Sequence, residues 1–296
     1  MSSTLSTAFA AEFSEMVKLQ YQAGAKLNGT TREVKGVVGS TYRFDKYAKV
    51  AANLRISGAE VSLSNPTVGT ATATLADYNL SIITDKFDQA KVIWSEVEAA
   101  AKAVGYGLGR RTDQMRIAAL AASTFNTTAG TENDIAYNIS GTPNNAMNIF
   151  KLRLIKQYMD QAGVDPDNRH IALTAAGVQQ LLGTTPVASI DYAGVKALVN
   201  GELNQFMGFN FHVIETRSSE GGLAVNTGTR YYGYAWHRDA VGFAEGIGVQ
   251  TEIAWIPMRR SRLVTGDVSA GAVTIEDAGV VRVEYDAAVA VTTNES

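Results

Sequence analysis

The sequence predicts a mixed α+β fold whose strands pair across long stretches of chain, and three observations carry that reading. First, Phe87, Ala90, Trp94, Val97, Ala101, Val104 and Leu108 step by three and four residues, with Met115, Ala119 and Ala122 continuing the stripe of one long amphipathic helix. Second, segments rich in β-branched and aromatic residues lie on both sides of it, as strands do. Third, 296 residues with 46% hydrophobic and 19% charged side chains suffice for one large domain or two ordinary ones and exclude wholesale disorder.

Residues 1–40 read as an arm. Phe9, Phe13, Met16 and Val17 allow one short amphipathic helix, and Gly24, Asn28-Gly29, Gly36 and Gly39 then puncture the chain as in a loop. Residues 41–83 read as extended, with Thr70–Thr74, Leu75, Tyr78, Leu80 and Ile82 strand-like and Asn65-Pro66 a turn. This predicts a long hairpin, out along 47–62 and back along 68–83. A lone hairpin is marginal in water, so its supporting surface is expected to be another subunit.

Asp85 is the expected N-cap of the long helix. Unbroken to Ser123, that helix would extend about 57 Å at about 1.5 Å per residue. Gly105, Gly107 and Gly109 interrupt it, each costing about 1 kcal/mol relative to Ala in a helix interior, and mark a bend or a site of close packing. A Thr-, Asn- and Gly-rich loop covers 124–145. A second helix follows over Ala146–Gln161, then a strand Arg169–Leu173, a helix Ala175–Leu182 and a helix over Tyr192–Val199. Phe209–Ile214, Tyr231–Phe243, Ile247–Trp255, Val273–Ile275 and Val280–Tyr285 read as strands.

Net charge is −3, no global attraction for nucleic acid or anionic lipid, but it is unevenly spread. Lys26, Arg32, Lys35, Arg43, Lys46 and Lys49 face only Glu33 and Asp45, a local +4; from Val264 onward six acids face Arg282 alone, a local −5. These are either solvated surfaces or a basic arm and an acidic tail with partners of opposite sign. No cysteine is present, which removes disulfides, thiolate metal sites and a cysteine nucleophile. The start lacks the basic and apolar regions of a signal peptide, and no run of about 18 apolar residues exists, so a soluble chain beginning in a cytoplasm is expected.

Catalytic patterns are missing. There is no GxSxG elbow and no GxxxxGK[ST] loop, and the GxGxG run at 105–109 falls inside a helix with Arg110 where a third glycine belongs. His170, His212 and His237 are far apart in sequence and read as structural histidines rather than metal ligands. Glu96/Glu98 and Glu276/Asp277 read as surface charges. The Tyr231–Trp236 run lacks the basic groove of a base-stacking platform and reads as a packed strand. Arg110-Arg111 with Asp113, and Arg259-Arg260 with Arg262, read as solvated faces. No enzyme, cofactor or metal is expected.

Local sequence then points to a family. Tyr78-Asn-Leu-Ser-Ile-Ile-Thr-Asp-Lys-Phe-Asp88 resembles a passage from an extended hairpin into a spine helix, and Asn168–Thr174 followed by Val178–Leu182 resembles an Arg-led apolar strand with a short helix after it. Gly201–Glu215 resembles a segment in which a glycine and an aromatic precede a strand, and Trp236–Phe243 a later strand. Together, over most of 41–265, these segments resemble the major capsid proteins of tailed bacteriophages, the Hong Kong 97 fold.

That resemblance implies an N-arm over 1–40, an extended β-hairpin E-loop over 41–84, and a peripheral domain with a long spine helix over 85–165. An axial domain over 166–239, a return to the peripheral domain over 240–275, and a C-terminal strand and tail over 276–296 complete it. The implied function is structural: self-assembly as hexamers and pentamers into an icosahedral shell around non-specifically bound double-stranded DNA. The implied setting is the virion, assembled in the host bacterial cytoplasm with a scaffolding protein, a portal and optionally a decoration protein, and with no membrane. Lys26, Arg32 and Lys35 become candidates for an inter-subunit or DNA-facing arm. Arg55, Ile56, Glu60 and Val61 become candidates for an E-loop interface, and Gly105, Gly107 and Gly109 for a spine-helix bend. Some relatives cross-link through an E-loop lysine; no Lys lies between Val50 and Asp85, so a non-cross-linked shell is expected. The alternatives are an encapsulin-type compartment shell of the same fold, and a soluble α+β enzyme or ligand-binding protein.

Overall fold

A computed structural model describes residues 25–55, 57–58, 60, 63–86, 96–127, 133–138, 145–183, 205–216, 222–223 and 225–289. Among these, twelve strands form three sheets around three helices. The first sheet is built on a long antiparallel pair, β10 (Val241–Ile256) and β11 (Ser261–Thr274), turned at Pro257–Arg260. On one side β4 (Ala76–Asp85) runs antiparallel to β11, from Asp85 opposite Ser261 to Ala76 opposite Ala270. On the other, β1 (Arg32–Lys35) pairs in parallel with Gly242–Glu245.

Helix α1 (Glu96–Ala121) lies across this sheet. Its Val97, Ala101, Val104 and Leu108 are buried against Phe243, Val264, Val268 and Ala270. Two glycines set the approach. A Cβ on Gly266 of β11 would stand 2.5 Å from Val104 Cγ1, and one on Gly107 of α1 would stand 2.6 Å from Leu80 Cδ2 of β4. Leu80 and Gly266 are ladder partners. The sheet therefore offers a hollow and a knob side by side, and the helix carries the complementary pair.

The second sheet has the order β5-β12-β9-β6-β8-β7. Its strands are β5 (Asp134–Ile135), β6 (Arg169–Thr174), β7 (Gln205–Phe206), β8 (Phe209–Ile214), β9 (Arg230–His237) and β12 (Val280–Asp286). Helices α2 (Ile149–Gln161) and α3 (Ala175–Leu182) cover one face, burying Leu152, Ile155, Met159, Val178 and Leu181 against Ile171, Leu173, Phe209, Phe211, Val281 and Val283. The end of α1 covers the other face, where Ile117 and Leu120 meet Ala172, Tyr234, Trp236 and Val280. One helix thus serves both sheets. Helix α2 starts at Ile149 rather than the expected Ala146, and both short helices are capped: the Asn148 side chain accepts from the Lys151 N–H, and the Thr174 hydroxyl accepts from the Gly177 N–H.

The third sheet is a hairpin, β2 (Thr41–Tyr47) with β3 (Val68–Thr74). Its register corrects the expected one. The outgoing strand is 41–47, not 47–62, and 76–85 leaves the hairpin for β11, because Tyr78, Leu80 and Ile82 pack under α1. Asp85 ends β4 and stands directly before helical Lys86, and residues 87–95, including Phe87 and Trp94, lie outside the described residues. So do residues 1–24, 128–132 and 139–144 of the loop at 124–145, and the expected helix at 192–199. Residues 25–35 form no free arm: Leu27, Thr30 and Thr31 are buried and β1 completes a sheet.

Candidate assembly surfaces

Among the described residues, the apolar anchor of the hairpin lies at its base. Phe44 is buried, its ring lying where a Gly242 Cβ would stand 2.6 Å away, and it packs with Ala73, Ala244 and Ile275. Tyr42 meets Phe44 edge-on at 4.8 Å. Two lysines tie the strand end to the body across a cleft of about 580 Å³ lined also by His237 and Asp239. Lys46 pairs with Glu276 at 3.3 Å, and the Lys49 ammonium donates to the Ala162 carbonyl at the end of α2. Solvated pairs of this kind contribute at most about 1 kcal/mol, so the apolar Phe44 anchor dominates. Beyond the base, Tyr47, Val50, Leu54, Leu63 and Val68 face solvent, with Leu54 92% and Leu63 93% exposed. Of the residues expected at an interface here, Arg55 and Glu60 are exposed, while Ile56 and Val61 lie outside the described residues.

A second projection is the turn between β10 and β11. Met258 is 97% exposed and Trp255 is exposed beside it, next to Arg259 and Arg260. Single exposed apolar residues are ordinary on a protein surface. Here they gather at the tips of two projecting hairpins.

Residues 25–35 form a strap across α1 and both large sheets. The Asp113 carboxylate accepts from the N–H groups of Lys26 at 2.8 Å and Leu27 at 3.2 Å. Arg116, 1% exposed, donates to Glu33 at 2.8 Å and lies over the Phe243 ring at 3.9 Å. Asp113 is buried, not on the solvated face expected of it; burial raises its pKa, opposed by the Lys26 N–H and the Arg116 charge. The three candidate arm cations do not converge. Lys26 Nζ donates to the Val213 carbonyl, Arg32 lies 5.9 Å from the Phe44 ring, and Lys35 ends β1 in solvent. The candidate bend glycines lie within α1, Gly105 and Gly109 buried and Gly107 against Leu80.

Several buried polar groups escaped sequence reasoning. Lys151 is fully buried and donates to the carbonyls of Tyr137, Asn145 and Glu284 at 2.9–3.2 Å; burial lowers its pKa to about 8. Arg169 bonds the carbonyls of Val164 and Asp165 and pairs with Asp160 at 2.7 Å, closing the turn after α2. His170 and His212 meet at 3.1 Å on the α1 side of the second sheet, both rings stacked on Trp236. Their only sequence signal is shared alternation on β6 and β8, which the parallel register turns into contact. Among the described residues, no group of three or more His, Asp or Glu gathers as metal ligands, and no helix is long and apolar enough to cross a membrane.

This arrangement recurs in solved phage shells. The capsid of Ralstonia phage GP4 superposes with a TM-score of 0.67 at 11% identity, over 90% of this chain and 89% of that one. The head structure of Helicobacter pylori bacteriophage KHP40 gives 0.67 at 12% identity over 90% of each chain. The capsid of cyanophage Pam1 gives 0.63 at 13% identity, over 92% and 93%. No curated protein matches the sequence. The profile of the family described as phage capsid protein matches residues 5–287, nearly the whole sequence, and the chain belongs to that family.

Proposed function

We propose that this capsid protein builds the icosahedral head shell of a tailed phage as hexamers and pentamers, the hairpin lying over one neighbour as an E-loop. The observation that carries the arrangement is the hairpin itself, which presents Tyr47, Val50, Leu54, Leu63 and Val68 to solvent. Residues at the N-terminal end reach a further neighbour or the packaged double-stranded DNA, which is bound without sequence preference. Assembly in the bacterial cytoplasm employs a separate scaffolding protein and a portal, with a decoration protein as an option. The encapsulin reading differs in contents: enzyme cargo in place of DNA.

The test is assembly. With scaffold supplied, the wild-type chain is expected to give shells by light scattering and electron microscopy, and Leu54→Asp with Leu63→Asp to give folded, unassembled protein. Shells of normal yield from the double variant would refute the hairpin's role. Purified particles are expected to run as one monomer band on denaturing gels, because 51–85 contains no lysine to cross-link; a ladder of covalent multimers would refute this.

A further inference from the structure

The strap of residues 25–35 is held to the second sheet by contacts that centre on two histidines and one tryptophan. Trp236 Nε1 donates to the Thr30 carbonyl at 2.9 Å, and both His170 and His212 stack on its ring. The His212 ring also bonds the Lys26 backbone, and Lys26 Nζ returns a bond to the Val213 carbonyl next to His212. We propose that the His170–His212 pair is an acid-sensitive clasp: it holds the strap while one ring nitrogen can still accept, and releases it when both rings are protonated.

Proton counting gives the reason. A bond between His170 Nδ1 and His212 Nε2 needs one N–H and one lone pair. Neutral rings supply both, and so does a pair carrying one extra proton. A second extra proton sets two N–H groups and two positive charges face to face at 3.1 Å. The Lys26 backbone bond favours a charged His212 ring, but the charged side chains nearby offer the pair no relief. The charges acting on His170 come from His212, His237 at the end of β9 and Arg238 just after it, and Lys26 of the strap is also a cation. Asp113 of α1 is already engaged by the Lys26 and Leu27 N–H groups.

Burial, then the neighbouring cations, lower the His170 pKa to about 4, and burial lowers that of His212. A lifted strap would let the rings titrate near 6.5, so the lifted state takes up protons as pH falls. The clasp is fully present above about pH 6.5 and is lost on the way to about pH 4. Opening rises by up to about tenfold per pH unit for each ring in that window. The inference stands independently of how copies assemble.

The experiment is hydrogen–deuterium exchange of the full, unassembled chain at pH 7.5 and 5.0, reading the 25–35 segment relative to intrinsic exchange at each pH. The wild-type opening equilibrium is expected to rise at least about tenfold on acidification. His170→Asn keeps an amide able to donate or accept and leaves only His212 to titrate, so it is expected to cut the rise at least about fivefold relative to the wild type; Asp113→Asn is expected to leave the rise intact above its own baseline. Wild-type opening that ignores pH overturns the proposal. So does a His170→Asn chain that keeps the full rise, or an Asp113→Asn chain that loses it. Should His170→Asn fail to fold, His212→Asn is read by the same criterion.

Discussion

Replacing Gly266 by Ala adds one methyl group at the point where α1 presses closest to the sheet. That Cβ would stand 2.5 Å from Val104 Cγ1 and 2.8 Å from Leu108 Cδ1, against about 3.5–4.0 Å for carbons in contact, so the packing must open by roughly 1 Å. Val104 cannot swing aside: it is fully buried, and a β-branched residue in a helix keeps one χ1 rotamer about 90% of the time. The helix itself has to move. Overpacking of this kind costs about 1–3 kcal/mol, and removing a glycine from the unfolded chain returns about 0.4–1 kcal/mol. The net loss is about 1–2 kcal/mol, a melting temperature lower by roughly 2–3 °C for a chain of this size. Calorimetry of the unassembled chain reads this directly. Combining G266A with V104A, which vacates the clashing methyl, should recover at least about 1 kcal/mol relative to the sum of the single changes. A G266A chain that melts with the wild type, or a strictly additive double variant, would refute the reasoning.

Lys151→Met removes a buried ammonium's bonds to three part-buried carbonyls, of which that of Asn145 still accepts from the Asp286 N–H, and is expected to cost about 2–3 kcal/mol, read from denaturant midpoints. Because the folded Lys151 pKa lies near 8, below its unfolded value of 10.5, the unfolded chain holds more protons between those values; wild-type stability gains a rising contribution from pH 8 to 10.5 that the Met variant lacks. Gly105→Ala with Gly107→Ala removes two poor helix formers, and the added Gly107 Cβ meets only the end of the half-buried Leu80 side chain. The melting temperature should hold or rise. If the glycines let α1 bend between shell positions, particle yield falls; unchanged yield and particle size would argue against a bend.

What was legible in the sequence was local. The bounds of α3 and β8 are those expected, and those of β8 follow from a six-residue alternation contained within the strand itself. By contrast, only the end of β11, from Val273, reads as strand, because Gly266, Gly271 and small residues break its pattern, yet Gly266 is there so that α1 can approach. The polar tetrapeptide Arg32–Lys35 becomes a strand only through a partner at 242–245. The hairpin's register was misread because 76–85 is as strand-like as 68–74, and only packing under α1 assigns the two to different sheets. The family resemblance needed just the order of motifs, whereas the strap, the Lys151 site and the histidine pair depend on convergences of up to about two hundred residues.

Both large sheets pair earlier strands with late ones: β1 and β4 wait for β10 and β11, and β5 waits for β12. The partners Arg32 and Gly242 are 210 positions apart. At a ribosomal pace of about 5–20 residues per second, the early strands spend roughly 10–40 s without their partners. The nascent chain therefore has no finished body on which to seat its exposed hairpin until synthesis is almost over. Competence to join a neighbour arrives late and all at once, so that a polysome crowded with sister chains holds subunits that are not yet able to recognise one another.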